Sequence, residues 1–138
     1  MLIPHDVEKI LVDLSDFSII VEGKRDKKAL EGLGINNIFV ISGKPLENFV
    51  DNLPKDRKYI ILTDFDEEGE HIKTNLSKLL LKNKFVVNEK IRQRFKNLFN
   101  VSKVEELNRI LKLKEDVYNG KISSINYKIF NRSKFYRK

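Results

Sequence analysis

In Ile60-Ile61-Leu62-Thr63-Asp64-Phe65-Asp66-Glu67-Glu68-Gly69-Glu70 an apolar run that begins at Tyr59 breaks into five carboxylates within seven positions. The run, Tyr59 to Leu62, is too short for a helix and reads as a buried parallel strand. Residues 68–82 follow with Ile72, Leu76, Leu79 and Leu80 at helical spacing. Ligands of open α/β sheets sit beyond the carboxyl ends of the strands, which is where this acidic turn falls.

Residues two apart in extended chain point the same way, so Asp64 and Asp66 project to one side and Phe65 to the other. Glu68, in the first helical turn, can approach the same region. Carboxylates this close repel one another unless a cation sits between them. Hard oxygen donors with no Cys suit Mg²⁺ or Mn²⁺ rather than zinc. A plainer reading stands beside this one: an acid-rich, solvated helix start, which the helix dipole favours.

The sequence on either side repeats the same alternation. Val7, Ile10, Leu11 and Leu14 mark one face of a helix over 6–16. Residues 17–21 form a first strand, closed by Glu22-Gly23-Lys24. A helix over 25–33 stops at Gly32 and Gly34, the second a C-terminal cap. Residues 37–41 make strand two, then Ser42-Gly43-Lys44-Pro45, with Pro45 suited to the first turn of a short helix ending at Leu53. Phe85-Val86-Val87 is a fourth strand. The order implies an α/β fold, a four-stranded parallel sheet with helices on both faces. Parallel strands end on one side, so Glu22 reaches Asp64 and Asp66 if strands one and three are neighbours. Gly23 permits a tight turn and close approach of a ligand. Lys24 and Arg25 open a helix, where amides and dipole attract anions.

Val21-Glu22-Gly23-Lys24 taken with Asp64-Phe65-Asp66-Glu67-Glu68-Gly69-Glu70 resembles the paired signature of the Toprim domain, a glutamate after strand one and Asp-x-Asp after strand three. That domain is shared by type IA and type II topoisomerases, bacterial primases, OLD-family nucleases and the small nuclease that matures 5S ribosomal RNA. The resemblance covers residues 17–88, and Gly43 matches a loop glycine of the family. It implies a Rossmann-like Toprim fold with Mg²⁺ (or Mn²⁺) on Asp64 and Asp66, and with Glu68 as a third or water-mediated ligand. Glu22 would act as general acid or base, or as ligand to a second ion. Lys24 and Arg25 would neutralise phosphate, with Lys44 on the loop after strand two. A chain of 138 residues has no room for a topoisomerase's gate domains or a primase's zinc and polymerase regions. His5 and His71 are too few for a histidine-based site, and His71 reads as a helix-surface residue.

Charge divides the chain. Residues 1–90 carry 14 Lys/Arg and 16 Asp/Glu, whereas residues 91–138 carry 13 and 4. This suggests a Toprim domain with an N-terminal helix (1–90) and a basic helical extension (91–138) whose partner is a polyanion. Helices are expected over 89–99 and from Ser102, where Ser102 and Glu105 resemble a capping box. Beyond Gly120 the cations Lys121, Lys128, Arg132, Lys134, Arg137 and Lys138 have no acidic neighbours and alternate with Tyr127, Phe130, Phe135 and Tyr136. Cations meet phosphates and aromatics stack on unpaired bases, which favours RNA over DNA as partner. The absence of Cys, of a signal-like start and of a membrane-length apolar run fits a cytoplasmic protein. The functional expectation is a Mg²⁺-dependent nuclease or phosphotransferase acting on structured RNA. The alternative is a non-catalytic nucleic-acid-binding module.

Overall fold

The computed structural model describes residues 5–99 and 103–106. Helix α1 (His5–Leu14) leads into β1 (Ser18–Val21), α2 (Lys24–Glu31), β2 (Ile38–Val40), α3 (Leu46–Asp51), β3 (Lys58–Ile61), α4 (Glu67–Lys82), β4 (Val86–Val87), α5 (Lys90–Phe99) and a single 3₁₀ turn, Val104–Glu106. The four strands form one parallel sheet in the order β2-β1-β3-β4. The α/β parallel architecture expected from the sequence is therefore present. β1 and β4 are each one residue shorter than the hydrophobic pattern suggested and β2 two residues shorter, while β3 is shifted by one. Pro45 stands just before α3 as its cap rather than within its first turn. Of the helix expected from Ser102, the described part is the 3₁₀ turn.

Alternation along the strands sorts the core into two layers. Ile19 and Val21 of β1 and Ile60 of β3 face α1, α2 and α5, in a cluster with Val7, Ile10, Leu14, Leu30, Phe95 and Phe99. Ile20, Tyr59 and Ile61 face the other way, toward Phe49 and Val50 of α3 and Leu76 and Leu80 of α4. The chain crosses from β2 over β1 to reach β3, so α2 and α3 lie on opposite faces. The crevice above β1 and β3 is the topological switch point of the sheet. Pairing of Ile20 with Ile61 fixes the register there, and the amide of Leu62 continues it by donating to the carbonyl of Ile20 at 2.7 Å.

The β3–α4 turn is pinned from several sides. Asp66 caps α4 by accepting the Gly69 N–H at 2.8 Å, which is why the acidic run begins a helix. Thr63, wholly buried, donates its hydroxyl to the Gly69 carbonyl at 2.8 Å. The turn closes so tightly that a Cβ on Gly69 would lie 2.0 Å from the Asp64 carbonyl oxygen. Gly23 differs from the expectation of a tight turn. Its backbone is extended (φ −141°), and an added Cβ would meet nothing nearer than an Asp26 oxygen at 3.8 Å. Gly69→Ala is therefore expected to cost about 3 kcal/mol or more by forcing backbone apart, whereas Gly23→Ala is expected to stay within about 1 kcal/mol. Urea unfolding of the two variants checks the contrast.

Candidate carboxylate site

Glu22 leaves the end of β1 and Asp64 follows β3, and because those strands are neighbours the two residues meet. The Asp64 N–H donates to Glu22 Oε2 at 2.7 Å, across 42 positions of sequence. Asp64 Oδ1 in turn accepts the N–H of Val104 at 2.9 Å. Burial raises the pKa of Glu22, opposed by the Asp64 amide; the charges of Asp64, Asp26 and Asp66 raise it further. Burial likewise raises the pKa of Asp64, opposed by the Val104 amide, with Asp66 adding repulsion. Glu22 also sits against the Asp64 carboxyl closely enough to stabilise it by a side-chain hydrogen bond. Two carboxyls in that relation hold a proton between them or invite a cation.

The other expected acids are placed differently. Asp66 is near enough for its charge to act on both Glu22 and Asp64, but one of its oxygens is used on the α4 amide. Glu68 is exposed on the first turn of α4. Among the described residues no set of three Asp, Glu or His side chains stands ready around one ion. The sequence points to Glu22, Asp64, Asp66 and Glu68; the structure draws the first two into contact, keeps the third beside them and leaves the fourth at the rim.

A cleft of about 530 Å³ opens on this pair, lined by Glu22, Gly23, Lys24, Arg25, Asp26, Ser42, Asp64, Lys103 and Glu105. Lys24 and Arg25 are exposed at the start of α2, and Arg25 lies 4.0 Å from the Glu105 carboxylate. Lys44 is exposed on the loop after β2, where Ser42 and Gly43 both take positive φ. His71 sits on the exposed side of α4 with its ring 3.2 Å from the Asn75 amide nitrogen. Lys121, Lys128, Arg132, Lys134 and Arg137 lie outside the described residues.

Two working residues escape a reading of the sequence. Asp26, in the third position of α2, looks like one more charge on a polar helix. It is buried, accepts the Gly23 N–H at 3.0 Å and also accepts the Glu105 N–H. Arg92 looks like a solvated cation flanking the apolar face of α5. Its guanidinium is instead buried, donating to the carbonyls of Thr63 at 2.6 Å and Asp64 at 2.9 Å, and to Glu70 Oε2 at 3.0 Å. It stacks 4.6 Å over the Phe65 ring. Arg92 thus supplies the one buried cation among the described residues, and holds in place the backbone that carries Asp64. A pattern of periodicity marks which face a residue is on, not that a guanidinium reaches under a neighbouring turn.

Comparison with known proteins is decisive at this point: residues 17–98 match the Toprim domain. The chain belongs to the Toprim family. Its sequence is 36% identical to a UPF0292 protein of Methanocaldococcus jannaschii over 62% of this chain and 70% of that one. It is 40% identical to a UPF0292 protein of Methanosarcina acetivorans over 51% of this chain and 54% of the relative. A solved structure, a putative protein from Aquifex aeolicus, superposes with a TM-score of 0.66 at 35% identity, covering 75% of this chain and 99% of that one. The chain thus spans between about half and 70% of the length of these curated relatives. Toprim domains are associated with divalent metals and nucleic acid as a class. No helix among the described residues is long and apolar enough to cross a membrane.

Burial, with repulsion from Asp64 and Glu105, pushes the Asp26 pKa up from 3.8 to about 6 against the pull of the Gly23 and Glu105 amides. The folded chain then binds a proton there that the unfolded chain has lost, between about pH 4 and pH 6. The associated stability is complete below the unfolded value and disappears as pH rises through about 6, a difference on the order of 3 kcal/mol. In metal-free protein the melting temperature is therefore expected to fall across that window. In Asp26→Asn the fall should be shallower, a comparison that calorimetry at stepped pH makes directly.

Proposed function

We propose that this chain is a divalent-metal-dependent phosphodiesterase acting on nucleic acid, with structured RNA as its substrate class. The observation that carries the reading is the hydrogen bond from the Asp64 N–H to Glu22 Oε2, which seats two half-buried acids side by side on an open cleft. Burial raises both pKa values, and repulsion from neighbouring carboxylates adds to the rise. Perturbed acids in a cleft are a signature of functional chemistry.

The donor set fits Mg²⁺ or Mn²⁺. It is all carboxylate, without sulfur, and Glu22, Asp64 and Asp66 each have one oxygen fixed by a backbone N–H. Magnesium commonly takes only one or two protein carboxylates and completes its shell with water and substrate phosphate. A ready-made cage of three acids is not needed for that. Glu22 and Asp64 would hold the ion, with Asp66 and Glu68 reached through water. A bound divalent ion supplies Lewis-acid polarisation of the phosphodiester and neutralises charge on the leaving oxygen.

The chain's own residues supply the remainder. Glu22 would take or return the proton of the hydrolytic step, a role worth about 10²–10⁴ in rate; burial raises its pKa above the ordinary carboxylate value. Lys24 and Arg25 would bind the phosphate at the lip, aided by the amides at the start of α2. Lys44 and the cations of residues 121–138 would track the backbone of the polymer. The aromatics between those tail cations favour unpaired bases, the feature that selects structured RNA over duplex DNA.

A second reading has one observation in its favour. Each of the three acids already serves the fold by receiving an amide, so a non-catalytic nucleic-acid-binding module would keep them as well. The experiment that separates the two uses Glu22→Gln and Asp64→Asn, which preserve acceptor oxygens for those amides. Metal-dependent scission of a structured RNA is expected to fall by 10²-fold or more in either variant, roughly the size of a lost proton-transfer group, while salt-sensitive binding persists. Equal scission by wild type and both variants removes the proposed site, and no scission by wild type with any divalent ion leaves the binding module.

A further inference from the structure

Residues 103–106 lie past the stretch that matches the family, residues 17–98, yet they complete the carboxylate site. The Val104 N–H is donated to Asp64 Oδ1 at 2.9 Å, and Asp26 accepts the N–H of Glu105. The Val104 side chain is fully buried in the same cluster as Phe95 and Phe99. Lys103 and Glu105 flank it on the cleft wall. An apolar plug thus sets the depth of the turn, and two consecutive amides are aimed at two acids on different elements.

We infer that the 103–106 turn is a positioning element for the metal-binding carboxylate Asp64. This rests on the metal reading given above. A carboxylate at the end of a strand has a free torsion about its Cα–Cβ bond. The Val104 amide removes that freedom by fixing one oxygen, which commits the other to the ion. Outer partners of this kind commonly change metal affinity by about 10–100-fold when lost. The effect is reciprocal: if the docked turn favours the ion, the ion favours the docked turn by the same factor.

The test uses the full chain with Mn²⁺ as probe, measuring affinity by electron paramagnetic resonance and the exchange of the Val104 and Glu105 amide protons by NMR. In wild type, saturating Mn²⁺ is replaced by diamagnetic Mg²⁺ for the exchange measurement. Exchange of both amides is expected to slow on metal addition. Val104→Pro removes the N–H at the first position of a helical turn, where proline's φ is accommodated, and is expected to weaken Mn²⁺ binding about 10-fold with the circular dichroism unchanged. Val104→Ala keeps the N–H and should bind Mn²⁺ more tightly than the proline variant. Wild-type binding with the proline variant equally tight, or with amide exchange unchanged or faster, overturns this inference alone. If wild type binds no Mn²⁺, the metal reading fails and takes the inference with it. Should the proline variant not fold, the wild-type exchange result decides.

Discussion

The hydrogen bond from the Asp64 amide to the Glu22 carboxylate, 2.7 Å long, is the joint on which the rest depends. It exists because β1 lies beside β3 and because Ile20 is registered with Ile61. Slipping β3 by one residue would turn Tyr59 and Ile61 out of one core and Ile60 out of the other. The two apolar layers therefore enforce the register, and the register brings the acids together. A buried core of isoleucines is in this sense the cause of a polar site two residues beyond its edge.

Bringing acids together costs free energy, and the surroundings show how that is offset. Glu22, Asp26 and Asp64 all have pKa values raised chiefly by burial. Backbone amides stabilise each of them in part: Asp64 for Glu22, Val104 for Asp64, Gly23 and Glu105 for Asp26. Arg92 braces the turn from beneath, tied to the carbonyls of Thr63 and Asp64 and paired with Glu70. Its removal would leave buried carbonyls without donors, which is why the position tolerates little. On the cleft side Lys103 offsets part of the charge of Asp64, and a divalent ion held by Glu22 and Asp64, as proposed, would offset the remainder.

Much of this arrangement was legible in the residues themselves. Short β-branched runs, each ending in a glycine or an acid and each followed by a helical period, give an alternating α/β chain whose functional side chains gather at one sheet edge. Glu22 and Asp64 are identifiable because each is the residue reached just past the end of such a run. Asp66 carries two readings, ligand and solvated acid at a helix start, and only the coordinates show that the Gly69 amide of α4 claims one of its oxygens. Gly69 and Gly23 reverse their apparent importance, since closeness of approach is a property of the folded turn and not of the residue type. Arg92, Asp26 and Val104 were illegible for a common reason. Each acts on a partner tens of residues away through a single side chain or amide, and local periodicity carries no information about such contacts.

The central claim is that Glu22 and Asp64 share a divalent ion. Crystals of the wild-type chain grown or soaked with Mn²⁺, with data collected at the manganese edge, address it directly. An anomalous peak within about 2–2.5 Å of an oxygen from each of these two side chains, a bonding distance for a hard divalent ion, is the expected result. Bound manganese seated elsewhere, or a Glu22 and Asp64 pair left without a peak at saturating Mn²⁺, would contradict the account.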